Sequence, residues 1–378
     1  MLLQCLHVHN FRLYDTVTLR CEAGLNLLFG PNGSGKTTLL EAICLCAWGR
    51  VLDAPDPTLL KHGTEFFRVR AEALTDAEVP YWVEVEYHAE HGKQIRSQQG
   101  SRLTPGELVG SMPIVLLTPA MKEITAGAPQ QRRRFIDMVL SQSSRHYVQL
   151  LLEHRRILRQ RNALLQHPSA SSDFPAQWNS WTELFIQRSA ELIWRRWKFI
   201  QDFEPLVQSY HERIAPERLR LLYLPDGVVA ESLEQGVTAI RACLQQRAAE
   251  LRSEELRRAQ TLFGPQRDDL LILLNGMSAR DAASQGQHKS ILLSLKLAEL
   301  DYLRHQRGET PMMLLDDVFA ELDRQRIHEV LRVLEDLHVQ SFVTITETER
   351  LPNAAVHRAY RVRIEAGRLI PDEQSSKS

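Results

Sequence analysis

Gly30-Pro31-Asn32-Gly33-Ser34-Gly35-Lys36-Thr37 is the stretch from which the rest of the chain can be read. It matches the pattern G-x-x-x-x-G-K-[ST] without a gap. Its flanks fit as well. The apolar run Leu25–Phe29 reads as a strand ending at Gly30, and Thr38–Trp48 reads as an apolar helix. Glycines let backbone N–H groups turn inward around phosphate oxygens. The helix N-terminus adds the positive end of its dipole. A lysine at position 36 sets a cation on the outer phosphates, and the Thr37 hydroxyl is a ligand for magnesium.

Working outward, the next informative stretch is Met312-Met313-Leu314-Leu315-Asp316-Asp317. Four apolar residues followed by two carboxylates describe a buried parallel strand that delivers acid to a metal ion. Asp316 is the candidate for holding Mg2+ beside Thr37. Asp317 is the candidate for orienting or deprotonating the attacking water, which makes Lys36, Asp316 and Asp317 the catalytic set. Two solvated acids at a strand end are the plainer reading of the pair. Its place downstream of Lys36 argues against that.

Ser284-Gln285-Gly286-Gln287 precedes a helical run, His288–Leu303. An ordinary helix cap, with Gln287 at capping-box distance from Ser284, explains these four residues as well as a phosphate grip does. Their order tips the balance. Phosphate loop, Ser284–Gln287, acidic strand and Ala320-Glu321-Leu322-Asp323 follow one another as they do in ABC-type ATPases, which the chain resembles. In that family the signature serine and glycine complete the site of a second subunit. The resemblance therefore implies that Gly30–Thr38 of one copy and Ser284–Gln287 of another enclose one ATP, with Asp323 at the seam. Glu is usual where Asp317 stands, and the shorter side chain implies slow hydrolysis. A switch histidine is absent after Phe342–Ile345, where Thr344, Thr346 and Glu347 stand instead.

The resemblance narrows to the RecF family on several segments. They are His9-Asn10-Phe11-Arg12-Leu13-Tyr14, Pro129 to Asp137, Gly264-Pro265-Gln266-Arg267-Asp268-Asp269-Leu270, Ala283 to Gln287 and Leu314 to Asp323. The chain departs from the family at Gln266, where His is usual, and at Pro119-Ala120-Met121-Lys122, where Pro-Glu-Asp-Leu is usual. Membership implies an ATP- and Mg2+-dependent protein of recombinational repair and replication restart. It would dimerise with ATP on duplex DNA beside single-strand gaps and hydrolyse ATP slowly and DNA-dependently. With RecR and RecO it would help to load RecA and would support the SOS response.

The fold class expected is α/β, an ABC/SMC-type P-loop ATPase head with an inserted all-helical domain. The head's N-terminal lobe takes 1–125 and its C-terminal lobe 259–370, with a polar tail at 371–378. The insertion takes 126–258, where Ser144–Leu165, Pro175–His211 and Glu231–Gln260 read as long helices and Leu219–Leu224 as a lone strand. Elsewhere strands are expected in the first 30 residues, at Phe66–Leu74 and Tyr81–Tyr87 as a hairpin, and at Pro113–Leu117, Leu270–Leu274, Phe342–Ile345 and Tyr360–Ile364. Arg324–Leu337 reads as a helix.

Composition bounds the partners. With 43% apolar and 25% charged residues the chain is an ordinary globular one. Its net charge of -1 means that any DNA must meet a local basic surface. Met121–Pro168 supplies one, with nine Arg or Lys against three acids. Arg132, Arg133, Arg134, Arg155, Arg156 and Arg159 are the candidate phosphate contacts, and a solvated helix face is the plain alternative. Arg161 belongs to the same run, and Arg195, Arg196 and Lys198 with Trp194 and Trp197 form a second cluster. No base-reading motif is present, so binding should ignore sequence. No apolar run spans a bilayer and no secretory leader is apparent, so a cytoplasmic protein without a membrane partner is expected. Five cysteines without zinc spacing read as buried thiols.

Three rival readings are weighed. A transporter ATPase subunit would carry its signature far sooner after Lys36 than the about 250 residues found here. A structural SMC- or Rad50-type head would insert sustained heptads. This insertion is short and interrupted by Pro168, Pro175, Pro205 and Pro216. A regulatory nucleotide module without turnover is separated from the favoured reading by phosphate release.

Overall fold

The computed structural model describes residues 1–98, 100, 102–166, 174–346 and 351–371. The expected loop Pro168–Pro175 lies mostly outside them, as do Glu347 and the tail from 372. The chain divides into two compact units. One comprises Met1–Lys122, Tyr210–Pro216 and Lys289–Ser378, the other Glu123–Ser209 and Glu217–His288.

Two sheets build the first unit. Its strands in chain order are β1 (Leu2–Phe11), β2 (Tyr14–Arg20), β3 (Leu25–Phe29), β4 (Phe66–Leu74), β5 (Pro80–His88), β6 (Gly92–Ser97) and β7 (Ile114–Leu117). The second unit contributes β8 (Leu219–Leu224), β9 (Asp269–Leu274) and β10 (Met277–Ser278). The first unit resumes with β11 (Met312–Asp316), β12 (Ser341–Ile345), β13 (Tyr360–Glu365) and β14 (Arg368–Pro371). An antiparallel sheet runs β2-β1-β4-β5-β6, and a mainly parallel one runs β14-β13-β3-β12-β11-β7. Every residue of β7, β11 and β12 is buried, as a parallel sheet covered on both faces requires. The helix Lys36–Trp48 packs against β4 and β5 of one sheet and β11 and β12 of the other. Being enclosed from both sides, it is apolar nearly all round, and Cys44 and Cys46 are among its buried residues.

The parallel order positions the chemistry. β3, which runs into the glycine loop, and β11, which ends in Asp316, are separated by one strand, β12. Parallel pairing sets Leu315 opposite Val343 and Asp316 opposite Thr344. The loop after β3 and the carboxylates at the end of β11 therefore emerge at the same, C-terminal end of the parallel strands.

The second unit differs from the expected all-helical insertion. β8 is not alone. It pairs antiparallel with β9, and β10 completes a three-stranded sheet. This pairing draws 259–288 into the second unit, past the boundary expected at 258. The expected helix Glu231–Gln260 is two helices, Ala230–Glu234 and Val237–Arg258, because Gly236 takes φ 91° between them. Helix Phe174–Ile214 runs through Pro205, matching the expected long helix Pro175–His211.

Guanidinium groups lie within this unit's mainly apolar interior. Arg161, fully buried, makes two bonds to the buried Glu255 at 2.9 and 2.6 Å and lies 4.1 Å from the centroid of the Trp178 ring. Arg196 holds Asp137 at 2.9 Å, Asp268 at 3.1 Å and the Pro265 carbonyl at 2.7 Å. Both were expected on a basic surface, and both are interior. A guanidinium is buried only with its charge paired and its fork of donors occupied, and here carboxylates distant in sequence do this.

His154 lies in the same interior against the Phe185 ring, and its Nε2 has no hydrogen-bond partner among the described residues. Burial, aided by the positive charges of Arg196 and Arg155, pushes its pKa down to about 3. The unfolded imidazole takes up a proton near pH 6.5, so between about 6.5 and 3 the unfolded chain binds more protons and stability falls with falling pH. We expect this one group to contribute about 1.4 kcal/mol per pH unit within that window. Urea midpoints at pH 7 and pH 5 should converge in His154→Leu relative to the wild type. An unchanged gap would contradict the assignment.

Candidate nucleotide site

The loop's backbone is fixed by contacts that admit only glycine at two positions. Gly30 has φ 149°, and a Cβ there would stand 2.1 Å from the Ile364 carbonyl oxygen. Gly35 has φ 112°, and its Cβ would meet the Tyr14 hydroxyl at 2.5 Å. That buried phenol donates to the Gly35 carbonyl at 3.1 Å, and the Gly367 N–H donates to the Ser34 carbonyl at 3.1 Å. Two hairpins, β1–β2 and β13–β14, thus brace the loop from outside.

Inside it, the Lys36 ammonium spans the loop and donates to the carbonyls of Gly30 at 2.8 Å and Pro31 at 2.9 Å. Burial lowers its pKa, while the carboxylates of Asp317 and Asp316 oppose the shift. The Ser34 hydroxyl is buried with no partner among the described residues. A cation held by loop carbonyls, an orphaned hydroxyl and backbone N–H groups at the start of Lys36–Trp48 are the donor set that a polyphosphate fills. Pro31, Asn32 and Gly33 are exposed on the rim, whereas Thr38, the third residue of the helix, is buried.

At the edge of β11 the Thr37 hydroxyl donates to Asp316 Oδ1 at 2.8 Å. The two residues expected to share Mg2+ are therefore neighbours. A hydroxyl and a carboxylate are hard oxygen ligands of the kind Mg2+ takes together with water and phosphate. The Asp317 pKa is raised by burial and by the charge of Asp316, with Lys36 opposing. Its backbone is left-handed, φ 51°, a conformation that costs a non-glycine residue about 1–3 kcal/mol. The Asp317 N–H donates to Thr344 Oγ1 at 2.9 Å, and the Thr344 hydroxyl donates to Asp316 Oδ1 at 2.8 Å. Lys36, Thr37, Asp316 and Asp317 are thus brought together within the first unit. Tyr14 and Thr344 join them without having been assigned a role. A threonine inside the buried run Phe342-Val343-Thr344-Ile345 was the available hint.

Ser284, Gln285, Gly286 and Gln287 belong to the second unit. Ser284 caps helix Gln285–Arg307 in a reciprocal box: Gln287 N–H donates to Ser284 Oγ at 3.3 Å, and Ser284 N–H donates to Gln287 Oε1 at 2.8 Å. The Gln287 amide also donates to Glu217 at 2.8 Å, and Ser284 and Gln285 are exposed. Asp323 likewise caps Arg324–Asp336, accepting from Arg326 N–H at 2.9 Å.

The expected basic surface needs correction. Arg132 is 5% exposed and makes a two-pronged pair with Asp269 at 2.7 and 2.9 Å. Arg133 donates to the Asp268 carbonyl at 2.5 Å. Arg134 is half-buried, and Arg155 is exposed but lies 3.6 Å from Asp137. Packing of β9 against helix Pro129–Ser143 turns the start of the arginine run into internal structure. Arg156 and Arg159 are exposed on Arg145–Gln166. Among the described residues no helix is long and apolar enough to cross a membrane.

Comparison with known proteins agrees with this geometry. Residues 5–206 match the family described as AAA domain. The chain is 37% identical to the DNA replication and repair protein RecF of Symbiobacterium thermophilum, over 99% of each chain. It is 36% identical to that of Prosthecochloris aestuarii, over 92% of this chain and 94% of the relative. A solved structure of the recombination mediator protein RecF-ATP in the RecFOR pathway superposes with a TM-score of 0.90 at 30% identity, covering 98% of this chain and 97% of the other. An Smc head bound to the C-winged helix domain of ScpA shares the fold alone, with a TM-score of 0.57 at 13% identity.

Proposed function

Because the chain belongs to the RecF family of DNA replication and repair proteins, we propose that it is a nucleotide-switched clamp of recombinational repair and replication restart. ATP with Mg2+ draws two copies together on DNA at gaps and single-strand to double-strand junctions. Slow, DNA-dependent hydrolysis to ADP and phosphate lets them part. In the bound form it assists RecR and RecO in loading RecA, in the cytoplasm and without a membrane partner. The observation that carries this reading is the convergence of Lys36, Thr37, Asp316 and Asp317 at the C-terminal end of the parallel strands.

Each group has a task. Gly30 to Thr38 wrap the phosphates, and Lys36 leaves its two loop carbonyls for the β- and γ-phosphates. Thr37 and Asp316 hold Mg2+, which when bound neutralises phosphate charge. Asp317 faces the attacking water. Ser284 to Gln287 of a second copy, of which Ser284 and Gln285 are exposed, meet the γ-phosphate at a helix N-terminus. Sedimentation with and without ATP and gapped duplex DNA tests the whole. A monomer that becomes a dimer only with ATP supports it, and a mass indifferent to ATP contradicts it.

DNA contact is assigned to Arg155, Arg156 and Arg159, with Arg134 at the margin and Arg132 and Arg133 withdrawn into the fold. The pair Arg156→Ala with Arg159→Ala should weaken binding of any sequence alike. It should also flatten the dependence of log K on log salt by roughly 0.9 per lost phosphate contact. Salt titration by fluorescence anisotropy measures both, and an unchanged slope would remove these arginines from the interface.

A further inference from the structure

Thr344 sits on β12, fully buried, one strand from the glycine loop and opposite Asp316 in the parallel register. Its single hydroxyl makes two bonds with opposite sense. It accepts the Asp317 N–H at 2.9 Å and donates to Asp316 Oδ1 at 2.8 Å. Asp316 Oδ1 also accepts from Thr37, so this oxygen is occupied on two sides and Oδ2 makes neither of these bonds. The bond to Asp317 N–H falls where the chain leaves β11 in the left-handed conformation, at φ 51° and ψ 18°. A strand continuing extended would send the next side chain along the opposite face of the sheet. The turn at Asp317 instead redirects it.

We propose that Thr344 is a positioning residue for ATP turnover: one hydroxyl fixes the orientation of the Asp316 carboxylate and the left-handed turn that aims Asp317. The inference rests on the nucleotide reading above and deepens it. Thr344 touches neither phosphate nor water in this scheme; it acts through its two neighbours. Valine keeps the β-branched shape and removes both bonds. The Asp317 N–H then loses its acceptor, and Asp316 loses one of two donors that hold it. Small displacements of a group that must meet a water molecule are costly in rate and cheap in binding. The phosphate grip, which belongs to Gly30–Thr38, should survive.

The test measures ATP affinity, ATP-driven dimerisation and single-turnover hydrolysis on gapped DNA for wild type, Thr344→Val, Thr344→Ser and Thr344→Ala in the full chain. Valine and alanine should lower the turnover rate constant by about 10-fold or more, with ATP affinity within about 3-fold of wild type. Their ATP-bound dimers should persist longer, and serine should restore turnover to within about 3-fold of wild type. If valine misfolds by thermal melting, the alanine–serine difference still isolates the hydroxyl. Equal rates for alanine and serine would overturn the proposal, as would a loss of ATP affinity matching the loss of rate. A wild-type protein that neither binds nor hydrolyses ATP would instead overturn the underlying nucleotide reading.

Discussion

Lys36→Ala should abolish ATP binding while leaving the fold intact. Lys36 is 4% exposed, and the hydrogen-bond partners of its ammonium are carbonyl oxygens, not carboxylates. Burial disfavours the charged form, and the carboxylates of Asp317 and Asp316 oppose that shift. On the proposed reading the outer phosphates add further negative charge beside this cation. Removing the cation leaves buried phosphate oxygens facing Asp316 and Asp317 with a helix dipole as the main compensation. Breaking a partly buried ion pair by deleting one member typically costs about 3–5 kcal/mol, so the affinity should fall by roughly 100-fold or more. The folded state loses only two neutral acceptors' partner, and an alanine fits the helix start. Isothermal titration with ATP and a thermal melt without it read the two halves of this expectation. Near-normal ATP binding by the variant would show that the loop's amides, not Lys36, hold the phosphates.

How far the chain could be read in advance depended on the range of the interactions involved. The glycine loop and the acidic strand end were readable because their chemistry is local. Gly30 and Gly35 need backbone angles that other residues rarely take, and Lys36 must follow at once. The buried parallel strands announced themselves by unbroken apolar runs such as Met312-Met313-Leu314-Leu315. Strand order is not local, and it supplies the rest of the site. Thr344 reaches Asp316 only because β12 is inserted between β3 and β11, and Tyr14 reaches Gly35 only because the β1–β2 hairpin folds over the loop. The arginines failed as a surface for the same reason. Arg132, Arg161 and Arg196 look solvated beside their sequence neighbours. Asp269, Glu255 and Asp268 arrive from much further along the chain. Helical periodicity also hid the break at Gly236, since residues on both sides keep a helical pattern.

Ser284→Arg should separate nucleotide binding from dimerisation. In this chain Ser284 has two possible duties, and the substitution affects them unequally. The first duty is the helix cap: Ser284 Oγ accepts the Gln287 N–H, while Gln287 Oε1 accepts the Ser284 N–H. Losing a cap costs about 1 kcal/mol, which a 23-residue helix whose middle is buried tolerates. The second duty, on the proposed reading, is to meet the γ-phosphate of another copy. An arginine is large and exposed there, and it fills the space into which a second subunit's nucleotide must fit. The Lys36 side of the site keeps every one of its donors, so ATP affinity of the monomer should stay within about 3-fold of wild type. ATP-driven dimerisation should be lost at every protein concentration accessible to ultracentrifugation, and DNA-stimulated hydrolysis with it. Ser284→Ala removes the hydroxyl from both duties without blocking the approach of a partner, so it separates loss of that hydroxyl from steric exclusion by the arginine. If the arginine variant dimerises with ATP as the wild type does, Ser284 is a helix cap and no more, and the γ-phosphate must be closed off by other residues.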